Sequence, residues 1–208
     1  MATLVSGLGG TAGYGENTFS TSAYTRGTGT GADDAYIKVD ISSVFGASGM
    51  KFYGASYTSL YISSNGIITF GSGLTSYTPT ALTSLGKPSI SPFWTDIDIN
   101  KGGEIYWDLD PASGKVTVTW SNVAAYTGTG RDSFQVELSN LGSGNTGIQF
   151  LYGAVGFANG NTGNATVGIS NGSTSQTLLN GSGNGTTLLT YASNDFQTND
   201  PLGVTALA

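Results

Sequence analysis

The sequence predicts an all-β fold: a single antiparallel β-sandwich, jelly-roll-like, with little or no helix. The first observation is a series of about ten short segments with alternating apolar and polar residues, separated by turns rich in glycine and asparagine. The second is that no run of about twelve residues shows helical apolar spacing. The third is a composition with 33 glycines and 11% aromatic residues, which suits tight turns around a packed core.

The chain of 208 residues is long enough for one sizeable core, and no linker divides it. Residues 1–34 are rich in glycine, threonine and serine and show no clear period, which predicts a loose N-terminal arm or irregular strands. We expect the sandwich over residues 35–200 and a tail over residues 201–208. An arm of this kind can also pair with the sheet edge of a neighbouring copy.

Regular strand signals begin in the first half of the chain and surround a hairpin turn. Alternating apolar residues predict a strand over residues 36–41. Further short strands are predicted at residues 50–54, 59–63 and 67–71. Asn65-Gly66, which lies between the last two, is a strong short-range signal for a hairpin. Residues 72–88 have no clear period and predict a long connection.

The second half of the chain contains the longest alternating segments. Valine and tryptophan alternate with threonine and serine in residues 115–121, and apolar residues alternate with Gln135 and Glu137 in residues 132–140. We expect the polar faces of both strands, including Gln135 and Glu137, to be exposed to solvent. Further strands are predicted at residues 89–94, 103–109, 148–153 and 164–170.

The charge of the chain excludes several classes of partner. Seven basic and thirteen acidic residues give a formal net charge of −6, and the two arginines, Arg26 and Arg131, are far apart in sequence. Nucleic-acid binding needs a basic surface that displaces counterions from phosphates, and no basic run is present. Anionic membrane surfaces are disfavoured for the same reason, and no apolar segment reaches the length of a membrane span.

Histidine and cysteine are both absent from the sequence. Their absence excludes thiolate nucleophiles, histidine bases, cysteine–histidine zinc sites and Ser-His-Asp triads built from this chain alone. A carboxylate pair is the remaining route to hydrolysis. Asp96 and Asp98 would lie about 6.5–7 Å apart on an extended strand, within the spacing of about 5–9.5 Å used by glycosidases. We nevertheless expect a protein that is not an enzyme.

The acidic residues are concentrated between Ser91 and Asp110, which hold five of the thirteen. Part of this segment has the order D-x-D-x-N-x-G-x-E, in which alternate oxygen-bearing side chains suit a hard cation such as Ca²⁺. The candidate calcium ligands are Asp96, Asp98, Asn100, Glu104, Asp108 and Asp110. The alternative is a solvated acidic turn whose carboxylates cap backbone amides. Asp33-Asp34 is a further candidate, either for a second cation site or as two solvated carboxylates.

Four aromatic residues in this region are candidates for a platform on which a sugar ring could stack. They are Trp94, Tyr106, Trp107 and Trp120. The two-residue period places Trp107 with Ile105 and Trp120 with Val118, which is typical of core positions. Tyr106 is out of phase with Trp107 and is therefore the better candidate for an exposed, ligand-binding ring.

An ordered series of motifs resembles the NIDO domain, the extracellular module of nidogen, alpha-tectorin and some mucins, which also occurs in bacterial surface and secreted proteins. The motifs are YTSLYISSNGIITFG, ISPFWTDIDI, GEIYW, VTVTW, FQVEL, IQFLYG and ATVGIS, over about residues 50–171. The resemblance implies a non-catalytic, β-rich extracellular module associated with cell–matrix adhesion. The chain departs from animal members in having no cysteines, so it is more similar to the bacterial versions.

These observations together predict a calcium-stabilised adhesion or matrix module whose partner is an extracellular protein or a glycan. One alternative is a self-assembling surface or filament subunit, in which the N-terminal arm or an edge strand pairs with copies of the same chain. A second alternative is a carbohydrate-binding module. We expect an extracellular or cell-surface location, on a bacterial cell. Residues 1–16 lack the basic leader and apolar core of an ordinary secretory signal.

Overall fold

Fourteen strands form two main sheets and a small hairpin within residues 3–191, the part of the chain that the computed structural model describes. The strands of the first half are β1 (Asn17–Thr18), β2 (Thr25–Arg26), β3 (Ala35–Asp40), β4 (Met50–Phe52), β5 (Ala55–Tyr57), β6 (Ser59–Ser63) and β7 (Ile68–Thr69). Those of the second half are β8 (Ser89–Trp94), β9 (Glu104–Asp110), β10 (Lys115–Ala124), β11 (Arg131–Gly142), β12 (Asn145–Val155), β13 (Thr166–Ser170) and β14 (Gln176–Leu178).

The strands are arranged as an antiparallel sandwich, which confirms the predicted fold class. One sheet has five strands in the order β1-β9-β10-β11-β12, and the other has seven in the order β14-β13-β8-β7-β6-β3-β2. In the described part of the chain, helix is restricted to single turns, α1 (Ser42–Phe45), α2 (Gly185–Leu188) and two 3-10 turns (Leu82–Ser84 and Ile99–Lys101). Among residues 3–191, no helix has the length and apolar character needed to cross a membrane. The predicted tail, residues 201–208, lies outside the described residues.

Aromatic side chains fill the space between the two sheets. In the five-stranded sheet, the rings of Trp120 and Phe134 stack with their centroids 5.1 Å apart. Two hydrogen bonds then join this sheet to the seven-stranded one. Trp120 Nε1 donates to Ser63 O at 3.2 Å, and Tyr152 Oη donates to Pro92 O at 2.8 Å. The polar atoms of these two core residues are thus satisfied by the backbone of the opposite sheet, which helps to fix how the sheets face each other.

The polar face of β10 and β11 is covered, so the prediction that Gln135 and Glu137 are exposed was wrong. Gln135 is fully buried, and its side-chain amide exchanges hydrogen bonds with both Val5 N and Val5 O at 2.9 Å. Glu137 is 8% exposed and pairs with Lys115 at 2.8 Å. The residue alternation of these strands was read correctly. What it could not show is that an N-terminal segment crosses the outer face of the sheet.

Residues near the N-terminus add to both sheets. Asn17 and Thr18 of β1 pair with β9, and β2 pairs with β3. Phe19 follows β1 directly, is fully buried, and stacks on Tyr24 with ring centroids 5.9 Å apart. This part of the chain therefore supplies a strand to each sheet and an aromatic side chain to the core.

Candidate functional site

At one end of the sandwich, the connection that follows β8 is hydrogen-bonded to two later loops. Asp96 lies two residues beyond the end of β8, and its backbone carbonyl accepts a hydrogen bond from Tyr126 N at 3.1 Å. Thr95 Oγ1 accepts a hydrogen bond from Gly160 N at 2.9 Å. Gly160 packs so closely that a Cβ atom there would lie 1.7 Å from Asp96 O. The backbone of Asp96 is therefore tightly fixed.

A second set of contacts joins this connection to the segment before β3. Asp98 accepts a hydrogen bond from Asn100 N at 3.0 Å and so caps the short 3-10 turn that follows it. The Asn100 side chain donates to Thr30 O at 2.8 Å and accepts from Ala32 N at 3.1 Å. Because Ala32 directly precedes Asp33, Asn100 positions the segment that carries the next two carboxylates.

Three aspartates from these two segments meet at a single point. Asp33, Asp34 and Asp96 each place one carboxylate oxygen within 4.8 Å of the other two, and their exposed fractions are only 7%, 8% and 2%. They line a cavity of about 230 Å³ that is open to solvent. Tyr77 and Tyr126 line the same cavity and are 38% and 41% exposed. The arrangement is a buried acidic cluster with two accessible aromatic rings at its rim.

Asn65 of the β6–β7 hairpin connects the cluster to the backbone of the site. Its side chain, fully buried, donates to Asp34 Oδ1 at 2.9 Å and accepts from Ile97 N at 2.8 Å. Asp34 itself has a φ of +49°, an uncommon conformation for a residue with a side chain. Asp33 Oδ1 is buried and has no hydrogen-bond partner in the described structure. The Asp34 carboxylate is thus held in place by Asn65, whereas the Asp33 carboxylate has one oxygen without a hydrogen bond in the described structure.

Burial, and to a smaller extent the charges of neighbouring carboxylates, disfavours the ionised form of all three carboxyl groups. Burial raises the pKa of Asp33 to about 7, and the charges of Asp34, Asp98 and Asp96 add to this effect. Burial likewise raises the pKa of Asp96 to about 6, against the opposing hydrogen bond from Asn161. Burial also raises the pKa of Asp34. Perturbed carboxyl groups that share a cavity are a frequent sign of a functional site.

Within residues 3–191, no basic side chain forms an ion pair with Asp33, Asp34 or Asp96, although the charge of Lys101 lowers the pKa of Asp96 in part. The two ion pairs found there join Lys101 to Asp98 at 3.3 Å and Lys115 to Glu137 at 2.8 Å, so neither includes a member of the cluster. All the ligand atoms offered are oxygens, which suit hard cations such as Ca²⁺ rather than metals that prefer nitrogen or sulfur.

The residues predicted as calcium ligands from the sequence occupy three different settings. Asp96 belongs to the buried cluster, whereas Asp98 and Asn100 make the loop contacts described above. Glu104 accepts hydrogen bonds from the backbone and side chain of Ser20. Asp108 and Asp110 lie further along β9, and Glu104 and Asp110 are separated by about 20 Å of extended strand.

Asp110 caps the turn after β9 by accepting hydrogen bonds from Ala112 N at 2.9 Å and Ser113 N at 3.1 Å. Asp33 and Asp34, which the sequence suggested as a separate cation site, instead lie beside Asp96. The sequence signal for this site was the pair of adjacent aspartates, Asp33 and Asp34, in a chain with few charged residues. Their contact with a residue about sixty positions away was not readable from local spacing.

The carboxylates of Asp96 and Asp98 lie in different settings. Asp96 lines the acidic cavity with Asp33 and Asp34, whereas Asp98 is held by Lys101 and by Asn100 N. Asp98 is therefore not among the residues that line the acidic cavity with Asp96.

The predicted core positions of the tryptophans are confirmed. Trp94 and Trp120 are fully buried and Trp107 is 7% exposed. Tyr106 is half-buried, and its ring lies 5.9 Å from that of Tyr14 beside a second open cavity. Tyr106 is thus more accessible than the tryptophans, as the alternation in β9 indicated.

Comparison with known proteins agrees with the family resemblance found in the sequence. A family model described as NIDO related matches residues 12–205. Alpha-tectorin of Mus musculus is 37% identical over 65 residues, which cover 29% of this chain and 3% of that protein. Alpha-tectorin of Homo sapiens is 28% identical over 120 residues, covering 44% of this chain and 6% of that protein.

Dendrite extension defective protein 1 of Caenorhabditis elegans is 25% identical over 181 residues, which cover 71% of this chain and 16% of that protein. The chain therefore spans a small part of the length of each of these relatives. No solved structure gives a significant match.

Proposed function

This chain belongs to the NIDO-related family, and on that premise we propose that it is a non-catalytic extracellular module that acts in cell–matrix or cell-surface adhesion. The observation that carries the proposal is the family match over residues 12–205, which includes all but the first few residues of the described sandwich. The motifs of this family imply adhesion rather than catalysis. The relatives are much longer proteins, which fits a module that works as one part of a larger assembly.

The surface chemistry supports a protein or glycan as the partner. A net charge of −6 without a basic run disfavours nucleic acid and anionic membrane surfaces. A chain without histidine or cysteine also lacks the residues that most often act as bases and nucleophiles. We place the module outside a bacterial cell, on the basis of its cysteine-free, glycine- and threonine-rich composition.

A solid-phase binding assay tests this function directly. The purified chain is immobilised and probed with a panel of purified extracellular-matrix proteins and with a glycan array. We expect saturable binding to at least one component, and mass spectrometry should recover that component chemically unchanged. The same chain, denatured before immobilisation, is the control. Turnover of a bound component, or no binding on either panel, would contradict the proposal.

Carbohydrate binding is the second candidate function, favoured by the exposed rings of Tyr77 and Tyr126 beside the acidic cavity. Such rings can stack on the apolar face of a sugar. Tyr126→Ala should remove glycan binding at this cavity, and Tyr106→Ala should remove it at the position that the sequence suggested. Full retention of glycan binding by both variants would exclude both positions.

A further inference from the structure

We propose that Asp33, Asp34 and Asp96 together bind one Ca²⁺ ion, which joins the segment before β3 to the connection after β8. This ligand set differs from the 96–110 series that the sequence suggested. The inference does not depend on the adhesive role, because a stabilising ion can be bound by a module of any function.

The spacing of the carboxylate oxygens fits one shared ion. Ca²⁺ binds oxygen at about 2.4 Å, so two of its ligands are at most about 4.8 Å apart. One oxygen each from Asp33, Asp34 and Asp96 falls within that limit of the other two. The three groups reach this arrangement from chain positions about sixty residues apart, and none of them forms an ion pair with a basic residue in the part of the chain that the structure describes.

A second, independent observation is the unsatisfied oxygen of Asp33. This residue is more than nine-tenths buried, lines the cavity, and has no hydrogen-bond partner at Oδ1 among residues 3–191. Leaving a buried carboxylate oxygen without a partner is unfavourable. A cation bound among the three aspartates would supply the missing interaction and would also offset their mutual repulsion.

The surrounding residues hold the ligands in position. Asn65 binds one oxygen of Asp34 at 2.9 Å, which orients that carboxylate and leaves its other oxygen for a cation. Gly29 lies against Asp33, where a Cβ atom would be 3.2 Å from Asp33 Oδ2. Hydrogen bonds such as the one from Asn65 orient metal ligands and are a regular part of metal sites.

The ligand chemistry favours Ca²⁺ over other metals. An all-oxygen set does not select Zn²⁺, which prefers nitrogen and sulfur ligands. Mg²⁺ demands a compact octahedron, whereas Ca²⁺ accepts irregular sets of six to eight oxygens. The open cavity of about 230 Å³ has room for the water molecules that would complete such a set.

The first test is a thermal melt of the intact, metal-stripped chain with CaCl₂, with MgCl₂ as the control. At a calcium concentration of about a hundred times Kd, we expect the Tm to rise by roughly 5–10 °C. Isothermal titration calorimetry should give one Ca²⁺ per chain. No calcium-specific rise and no binding heat would overturn the proposal.

Variants then identify the ligands. Asp33→Asn and Asp96→Asn should each weaken calcium binding by about tenfold or more, whereas without calcium both should melt no lower than the parent chain, since repulsion is relieved. Asp108→Asn is the matched control, because it removes the same charge from a residue outside the cluster. Loss of affinity in Asp108→Asn, with Asp33→Asn unaffected, would refute this ligand set.

Tb³⁺ luminescence of the unmodified chain tests the same site without a variant, and therefore applies even if a variant does not fold. Tb³⁺ can replace Ca²⁺ and emits when nearby aromatic rings transfer excitation to it, and Tyr77 and Tyr126 line the cavity. We expect sensitised Tb³⁺ emission that Ca²⁺ displaces and Mg²⁺ does not. Absence of displaceable emission would contradict a calcium site at this position.

Discussion

Asp132, at the start of β11, is a carboxyl group buried in a setting different from that of the acidic cluster. It is fully buried, and its Oδ1 accepts hydrogen bonds from Gly156 N at 2.7 Å and Phe157 N at 3.1 Å. Its Oδ2 is buried without a hydrogen-bond partner in the described structure. Burial raises the pKa of this group well above its usual range, against the opposing effect of the two amides. Asp132 therefore makes folding dependent on pH.

Asp132→Asn should reduce that dependence. The native carboxyl keeps its proton to a higher pH than the unfolded chain does, so its stabilising contribution is complete below about pH 4 and is lost as the pH rises toward the native pKa. Asn cannot ionise. The free energy of unfolding of Asp132→Asn, relative to the parent, should thus increase by up to about 1.4 kcal/mol per pH unit between about pH 4 and 7.

Urea unfolding of both proteins across this pH range measures the difference. The acidic cluster titrates in both proteins, so its contribution cancels in the comparison. A difference that stays constant from pH 4 to 7 would mean that Asp132 is not the group responsible.

At the scale of single elements, the hairpin between β6 and β7 has two roles. Gly66 has a φ of +79°, and a Cβ atom there would lie 2.2 Å from Phe93 O in β8. Its neighbour Asn65 carries the two buried hydrogen bonds to Asp34 and Ile97. The turn therefore closes the hairpin and also supplies the side chain that orients Asp34.

Gly66→Ala should destabilise the fold by about 2–4 kcal/mol, because it combines an unfavourable positive φ with a clash against the backbone of Phe93. Gly71→Ala is the matched control. Gly71 has a φ of +82°, but a Cβ atom there would meet no atom of residues 3–191 within 4 Å. Its cost should be limited to about 1 kcal/mol of backbone strain.

Chemical denaturation of the two variants and the parent measures both costs. The difference between the variants isolates the close contact between the hairpin and β8. Equal losses would show that the backbone of Phe93 moves aside, and that the hairpin does not pack as tightly against β8 as the distances indicate.

Prediction from sequence succeeded where elements are long and regular. The alternation in residues 115–121 and 132–140 identified β10 and β11, and Asn65-Gly66 identified the hairpin. The two-residue strands β1 and β2 are too short to produce a period, so they were not found. The spacing of residues along the sequence likewise cannot show that Asp33 and Asp96 lie close together, because their proximity depends on how β3 and β8 are placed in the folded sheet.

At the scale of the whole molecule, the question is whether the N-terminal residues pack on the sandwich of their own chain or pair with another copy. Val5 binds the outer face of β11, and Phe19 enters the core beside Tyr24. The five-stranded sheet nevertheless ends in β12, an eleven-residue edge strand. Edge strands can pair with other copies, so the self-assembling filament remains a specific alternative. Deleting residues 1–30 would not decide the question, because it also removes a core side chain.

Phe19→Ala discriminates between the two arrangements. If the N-terminal segment packs on its own sandwich, this change removes a buried aromatic ring and should lower the free energy of unfolding by about 3–5 kcal/mol. Leu141→Ala, at a residue that is 56% exposed, is the control and should cost no more than about 0.5 kcal/mol. The Tm of each protein should then be the same at low and high protein concentration, because folding within one chain is unimolecular. A Tm that rises with concentration in the parent but not in Phe19→Ala would instead show that the segment pairs between copies.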